Sequence, residues 1–130
     1  MTDSEADGKR ILVVDDEQGI TKICLRTLVP EGYQVDTAGD GSIAEEMLRE
    51  KSYDLLILDI RTPVLDGKQL YQHIKDCHPE LVAGVIFATG DITSNNTQQF
   101  LEQSGRPYLL KPFTLEELKA VVKETGDRLR

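Results

Sequence analysis

Five polar residues of this sequence stand at the ends of short apolar runs, and their side chains have complementary chemistry. Asp15 and Asp16 follow one run, Asp59 closes another, and Thr89 and Lys111 end two more. Asp59 is the hardest to explain as an ordinary surface residue, because a lone carboxylate is costly to bury beside apolar neighbours. Together the five residues offer carboxylate, hydroxyl and ammonium groups, which can bind metal ions and phosphate.

The three carboxylates indicate a divalent cation if they lie close together, since they repel one another unless a cation neutralises them. Mg²⁺ takes oxygen ligands, keeps several waters and is commonly held by one or two carboxylates together with phosphate oxygens. The two charges of Mg²⁺ and the one of Lys111 balance the three carboxylates. Such a site is suited to accept a phosphoryl group on a carboxylate.

Each of the five residues also has an ordinary structural explanation. An Asp after a strand often caps the next helix, a Thr at a strand end often bonds to backbone, and a Lys is usually a solvated charge. The site interpretation therefore depends on whether the fold brings the four runs to one edge.

The hydrophobic pattern predicts the elements that position these residues. Continuous apolar runs, typical of strands covered on both faces, occupy residues 11–14, 55–58, 85–88 and 108–110, and an alternating run at 34–38 predicts an edge strand. Helical spacing lies between them. The predicted buried faces are Ile20, Ile23, Cys24, Thr27 and Leu28; Ile43, Ala44, Met47 and Leu48; Leu70, Tyr71, Ile74 and Cys77; and Leu115, Leu118, Val121 and Val122 after a Thr114 cap. The weakest helix lies at residues 94–104.

Strand and helix alternate five times, which predicts an α/β fold with a parallel sheet and helices on both faces. Right-handed crossovers restrict the topology and favour a doubly wound, flavodoxin-like sheet with strand order 2-1-3-4-5, whose ligands bind beyond the carboxyl ends of the strands. In that order strands 1, 3, 4 and 5 are neighbours. The five polar residues are therefore expected at one rim.

Composition limits the classes of protein and partner. The 130 residues are 39% hydrophobic and 29% charged, which is typical of one globular domain, and the formal net charge is −8. That charge argues against nucleic acid or an anionic membrane surface as the main partner of this domain. No apolar stretch is long enough for a membrane span, and the acidic N-terminus is no secretory signal. We expect a flexible acidic tail at residues 1–8, a domain at 9–130, and reduced, semi-buried Cys24 and Cys77 in a cytoplasmic protein.

Four motifs of the sequence resemble those of one known family. They are Asp15-Asp16, LDIRTPVLDG at residues 58–67, Thr89-Gly90 and Lys111-Pro112-Phe113. In this combination they resemble the receiver domain of two-component response regulators, of the chemotaxis-regulator type, over residues 9–129.

The resemblance implies a phosphorelay signal receiver rather than an enzyme. Asp59 is then the phosphoacceptor, supplied by a histidine kinase or a histidine phosphotransfer protein. Asp16, Asp59 and the backbone carbonyl of Arg61 are the implied Mg²⁺ ligands, and Asp15 assists directly or through water. Thr89 and Lys111 are implied to contact the phosphoryl oxygens.

The resemblance also implies how the signal is passed on. Tyr108 matches the switch aromatic that acts with Thr89, Lys111-Pro112 matches a cis peptide, and the face built from helix 4, strand 5 and helix 5 is expected to bind a downstream protein. Arg61 and Asp91 take the positions that influence the phosphoryl lifetime, and we expect an ion pair between them. The sequence departs from the family pattern at Thr62 and in the polar segment 94–99.

Three other functions fit the sequence less well. A haloacid-dehalogenase-type enzyme needs a second Asp two residues after the first, where this chain has Arg61. A nucleotide-binding protein needs a glycine-rich loop after strand 1, and the acids found there repel phosphate. A degenerate, scaffolding receiver usually lacks one of the acids or the lysine, which this chain keeps.

The remaining expectations concern isolated residues and the wider protein. Glu17 is expected to begin a helix and to face away from the rim. His73 and His78 are expected at the surface, with no metal-binding cluster around them. Whether the chain is a single-domain regulator or part of a larger one, such as a hybrid histidine kinase, stays open.

Overall fold

Five parallel strands form one sheet in this computed structural model, which describes residues 9–62 and 64–129. The strands are β1 (Arg10–Val14), β2 (Gln34–Ala38), β3 (Leu55–Asp59), β4 (Val85–Thr89) and β5 (Tyr108–Leu110). Their order is β2-β1-β3-β4-β5. The predicted strand order is confirmed, with β2 at an edge. The predicted tail, 1–8, lies outside the described residues.

Five α-helices alternate with the strands. They are α1 (Gln18–Leu28), α2 (Gly41–Glu50), α3 (Gly67–Cys77), α4 (Asn95–Ser104) and α5 (Leu115–Asp127), and short 3₁₀ helices span Val29–Glu31 and Pro79–Gly84. The polar segment thus forms a helix in spite of its weak pattern. None of the helices in the described part of the chain combines the length and apolar character that a bilayer crossing requires.

Successive residues of the central strands pack into two different cores, which explains why their apolar runs are continuous. Leu12, Val14 and Leu58 pack with residues of α2, α3 and α4 on one face. Ile11 and Val13 pack with residues of α1 and α5 on the other. Because side chains alternate along a strand, a strand covered on both faces is apolar at every position. The sheet is therefore a rigid support for the residues at its carboxyl edge.

Three residues predicted to face the core are exposed instead. Ile43 and Leu115 are 45% and 47% exposed, and Cys77 is also exposed, whereas Cys24 is buried as a free thiol. Each of the three lies in the first or last turn of its helix, where a side chain has few neighbours to pack against. Helical spacing alone overestimates burial at such positions.

Reciprocal capping boxes fix where α3 and α5 begin. The Asp66 carboxylate accepts the backbone N–H of Gln69 at 2.9 Å, and the Gln69 side chain accepts the Asp66 N–H in return. Thr114 and Glu117 form the same reciprocal box at the start of α5, which confirms the predicted cap. Capping of this kind stabilises a helix start by about 1 kcal/mol.

Gly67 brings the start of α3 against the strand end that carries Asp59. A Cβ added at Gly67 would lie 2.5 Å from the Asp59 carbonyl oxygen and 2.7 Å from the Ile60 Cα atom. Both are backbone atoms, so the helix start would have to move. This close approach requires a glycine.

We expect Gly67→Ala to lower the free energy of unfolding by about 1–3 kcal/mol, the usual cost of overpacking. Gly19→Ala is the matched control, because Gly19 is an exposed residue of α1 with open space around its Cβ position. It should stabilise the protein by up to about 1 kcal/mol. Urea unfolding measures both, and equal effects of the two variants would contradict the packing argument.

Candidate functional site

The carboxyl ends of four neighbouring strands place the predicted residues at one rim. Val14 pairs with Leu58 across β1 and β3. Asp59 pairs with Ala88 across β3 and β4, and Thr89 pairs with Leu110 across β4 and β5. This register sets the segments that follow β1, β3, β4 and β5 side by side. The predicted convergence is confirmed.

The Lys111 ammonium group lies among three carboxylates. Its Nζ atom is 2.7 Å from Asp15 Oδ2, 2.9 Å from Glu17 Oε1 and 3.3 Å from Asp59 Oδ2. The Asp15 contact is an ion pair whose angles depart from those of a good hydrogen bond. The Lys111 side chain is only 11% exposed. Its charge therefore acts on the buried carboxylates of Asp15 and Asp59 with little screening by solvent.

Burial and charge shift the pKa values of two of these groups. Burial raises the pKa of Asp15, and the Asp59 charge adds to that effect, against the contacts with Lys111 and the Glu17 N–H. Burial also lowers the pKa of Lys111, but its contacts with Asp15 and Glu17 and the charge of Asp59 outweigh burial and raise it overall. Lys111 is consequently an ammonium ion at neutral pH.

Both oxygens of the Asp59 carboxylate have a protein partner. Oδ1 accepts the backbone N–H of Arg61 at 3.2 Å, and Oδ2 faces the Lys111 ammonium at 3.3 Å. Asp59 is 6% exposed. The carboxylate is thus held in a fixed orientation at the base of an open cavity of about 350 Å³, whose walls include Asp16, Glu17 and Asp91.

Four acids at this rim are close enough to share one metal ion. One ligand oxygen of each of Asp15, Asp16, Glu17 and Asp59 lies within 4.8 Å of the others. Asp16 and Glu17 are exposed, whereas Asp15 and Asp59 are buried. A set made only of carboxylate oxygens suits hard cations such as Mg²⁺. The residues present therefore fit the predicted magnesium site.

The prediction that Glu17 faces away from the rim is wrong. Glu17 is the N-cap of α1, with extended backbone angles (φ −89°, ψ 112°), and its side chain does not cap the helix. Its N–H instead donates to Asp15 Oδ1 at 2.9 Å, and its carboxylate reaches Lys111. The prediction places Glu17 within the helix, whereas the residue stands just before it and has an extended backbone. The sequence does carry one signal that Glu17 is a fourth acid of the rim, because Glu17 directly follows Asp16.

The Thr89 hydroxyl is engaged with its own loop. It donates to the Asp91 carbonyl at 3.1 Å and accepts the Asp91 N–H at 3.2 Å, and Thr89 is 2% exposed. The Asp91 carboxylate in turn accepts the Thr93 N–H at 2.8 Å and the Thr93 hydroxyl at 2.5 Å, and these bonds lower the pKa of Asp91. The loop after β4 is thus closed by its own polar groups.

Arg61 and Asp91 face each other at the mouth of the cavity. Arg61 Nη2 lies 3.5 Å from Asp91 Oδ2, and the two side chains are 68% and 39% exposed. The structure thus brings together the two residues that were expected to pair. At this distance and exposure the contact is a weak, solvent-screened ion pair.

Tyr108 lies apart from the acidic residues. It begins β5, is 44% exposed and lines a separate cavity of about 330 Å³ together with Ile92 and Leu101. The Lys111-Pro112 peptide bond is cis, as predicted. The candidate site and the candidate switch residue therefore occupy different surfaces, joined by β5.

His73 and His78 are only partly buried, and they have polar neighbours that the sequence analysis did not foresee. Their rings are 5.9 Å apart, and His73 Nδ1 lies 3.7 Å from Glu45 and 3.8 Å from the Cys77 sulfur. Cys77 lies four residues after His73, one helical turn along α3. Neither histidine belongs to the acidic rim.

Sequence comparison identifies similar proteins. A family described as the response regulator receiver domain matches residues 11–123. Transcriptional regulatory protein PcoR of Escherichia coli is 35% identical over 122 residues, covering 94% of this chain and 53% of that protein. Response regulator MprA of Mycobacterium leprae is 34% identical over 114 residues, covering 88% and 49%. The chain spans about half the length of the curated relatives it matches.

Solved structures show the same likeness. A CheY-like response regulator receiver domain protein from Methanospirillum hungatei has a TM-score of 0.85 at 27% identity, covering 95% of this chain and 97% of that one. Response regulator TrrA from Thermotoga maritima, in complex with Mg²⁺-BeF, has a TM-score of 0.77 at 33% identity, covering 90% and 98%. Both extend the likeness over nearly the whole chain.

Proposed function

The chain belongs to the response regulator receiver domain family, and from this premise we propose that Asp59 accepts a phosphoryl group from a phosphohistidine donor. A carboxylate oxygen of Asp59 attacks phosphorus, the phosphorus–nitrogen bond of the donor breaks, and the imidazole leaves. One observation carries the proposal. The Asp59 carboxylate is held between the Arg61 N–H and the Lys111 ammonium at the base of an open cavity.

We propose that Asp16, Asp59 and the backbone carbonyl of Arg61 hold Mg²⁺, with Asp15 as a direct or water-mediated partner. When bound, Mg²⁺ supplies positive charge that offsets the carboxylates and the incoming phosphoryl oxygens. Support comes from the all-oxygen cluster and from the related TrrA complex with Mg²⁺-BeF. The Lys111 ammonium group is the other positively charged group that contacts the phosphoryl oxygens. The Thr89 hydroxyl donates a hydrogen bond to one of these oxygens.

The wider role follows from the same proposal. The domain is a phosphoacceptor in the cytoplasm, not an enzyme with a separate substrate. Its partners are a histidine kinase or histidine phosphotransfer protein and a downstream protein on the α4-β5-α5 face. The expectation that nucleic acid is no partner gains no support, because relatives such as PcoR, 53% of which the match covers, are transcriptional regulatory proteins.

Incubation with a small phosphodonor and Mg²⁺ tests the proposal. The intact mass should rise by one phosphate per chain, and a chelator should prevent the change. A haloacid-dehalogenase-type enzyme would instead release phosphate over many turnovers. Failure of the protein to take up phosphate from several donors with Mg²⁺ would contradict the proposed function.

We expect the Arg61–Asp91 ion pair to slow the hydrolysis of phosphorylated Asp59. Because the two side chains meet over the mouth of the cavity, their pairing should restrict the approach of water to phosphorus. Arg61→Ala and Asp91→Asn should each lose phosphate roughly two- to fivefold faster, a small barrier change. The double variant should be no faster than either single one. Dephosphorylation rates decide this, and unchanged or additive effects would reject the gate.

Thr89 and Tyr108 predict a switch that acts beyond the rim. The Thr89 hydroxyl must give up its hydrogen bond to the Asp91 carbonyl in order to donate to a phosphoryl oxygen. This exchange should draw the loop after β4 inward and give the Tyr108 ring space to turn. A ligand shifts an equilibrium only through contacts that differ between the two states.

Amide chemical shifts measured with Mg²⁺ and beryllofluoride test the switch. They should change throughout α4, β5 and the start of α5 in the wild-type protein. In Thr89→Ala they should change only beside Asp59. Wild-type changes confined to the neighbourhood of Asp59 would show that the switch is absent.

A further inference from the structure

Three carboxylates contact the Lys111 ammonium group, and a phosphoryl oxygen would have to compete with them for it. It carries three N–H groups, and the carboxylates of Asp15, Glu17 and Asp59 lie within 2.7–3.3 Å of its nitrogen. If Lys111 is to contact a phosphoryl oxygen, as the proposed function requires, one of these contacts has to be exchanged. The three acids differ in how readily each can break its contact with the Lys111 ammonium group.

Two of the three acids are held in place. Asp15 is 3% exposed, and its second oxygen already accepts the Glu17 N–H at 2.9 Å. Asp59 is 6% exposed. Its carboxylate is the group that would be phosphorylated. The Glu17 side chain, by contrast, is 61% exposed. It can turn into solvent without leaving a buried charge unpaired.

We propose that Glu17 is a positioning residue that holds Lys111 among the carboxylates before phosphorylation and releases it to the phosphoryl group. The contact joins the first residue before α1 to the end of β5, 94 positions later. The Glu17 carboxylate is free for this task because it does not cap α1. The inference rests on the proposed function. It adds that the Glu17 carboxylate competes with the phosphoryl group for the Lys111 ammonium group.

Two substitutions of Glu17 distinguish the effect of its contact with Lys111 from the effect of its negative charge. Glu17→Gln removes the negative charge, whereas Glu17→Asp keeps the charge but is one methylene too short to hold Lys111 in the same place. Asp is also a favoured N-cap residue, so the variant should fold. Glu116→Gln is the control, because Glu116 is an exposed acid at the start of a different helix.

The first measurement is binding of beryllofluoride, a phosphoryl mimic, with Mg²⁺. Both Glu17 variants should bind about two- to fivefold more tightly than the wild type, in proportion to the loss of one partly exposed ion pair. Glu116→Gln should not differ from the wild type. Equal or weaker binding by Glu17→Asp would overturn the proposal, and a large loss in both variants would make Glu17 a metal ligand.

The second measurement does not depend on phosphorylation. In metal-free protein at fixed pH, the Lys111 ammonium protons should exchange with water faster in Glu17→Asp than in the wild type, because one of their acceptors is lost. Unchanged exchange would overturn the proposal. If the exchange responds but the wild type takes up neither phosphate nor its mimic, the proposed function fails while the Glu17–Lys111 contact stands.

Discussion

We expect Asp59→Asn to abolish phosphate uptake and Asp54→Asn, at the opposite end of the same strand, to leave it intact. The amide keeps the size of the side chain and an acceptor for the Arg61 N–H, but it lacks the anionic oxygen that attacks phosphorus. The fold should therefore survive while the chemistry is lost. Asp54 is a fair control because its carboxylate accepts the Arg10 N–H at 2.8 Å, far from the rim.

Intact mass after incubation with a phosphodonor and Mg²⁺ measures this effect. The wild type and Asp54→Asn should gain one phosphate, and Asp59→Asn should gain none. Urea unfolding should show that both variants are folded. A folded Asp59→Asn that still gains phosphate would place the acceptor elsewhere.

Asp16→Asn should weaken Mg²⁺ binding roughly ten- to hundredfold, the range seen when metal sites lose a supporting group. Asp16 is exposed at the rim and forms no ion pair with another residue in the described part of the chain, whereas the Glu17 carboxylate is 2.9 Å from the Lys111 ammonium group. A carboxylate already paired with an ammonium ion attracts Mg²⁺ less. Glu17→Gln should therefore weaken binding much less than Asp16→Asn.

Titration calorimetry with Mg²⁺ compares the two variants directly. The ranking agrees with the sequence-based expectation, but its reason differs, since Glu17 faces the rim rather than away from it. Asp54→Asn again serves as the control and should bind like the wild type. Equal losses in Asp16→Asn and Glu17→Gln would mean that Glu17 is a metal ligand of similar weight.

The sequence was sufficient to predict the sheet and the convergence of its polar residues. Strands such as β3 are buried on both faces, so their apolar runs end abruptly at the residue that leaves the core, and Asp59 is that residue. The alternation of strand and helix, with right-handed crossovers, then restricts the strand order and favours the one found. Positions at the carboxyl edge were thus predictable without knowledge of any contact.

What the sequence did not predict depends on local backbone geometry. Glu17 stands just before α1, where its extended backbone turns the side chain toward Lys111. Ile43 and Leu115 follow the helical pattern but lie in first turns that pack little. The 3₁₀ helix at Pro79–Gly84 is too short for a periodic signal. Such details are set by how a chain enters and leaves an element.

Chemical trapping of the phosphorylated residue tests the central claim most directly. Borohydride reduces an acyl phosphate to an alcohol and so converts a phosphorylated aspartate into homoserine, which peptide mass spectrometry locates. After incubation with a phosphodonor and Mg²⁺, we predict homoserine at position 59. Homoserine at position 15 or 16, or phosphate retained on His73 or His78, would contradict the assignment of Asp59 as the phosphoacceptor.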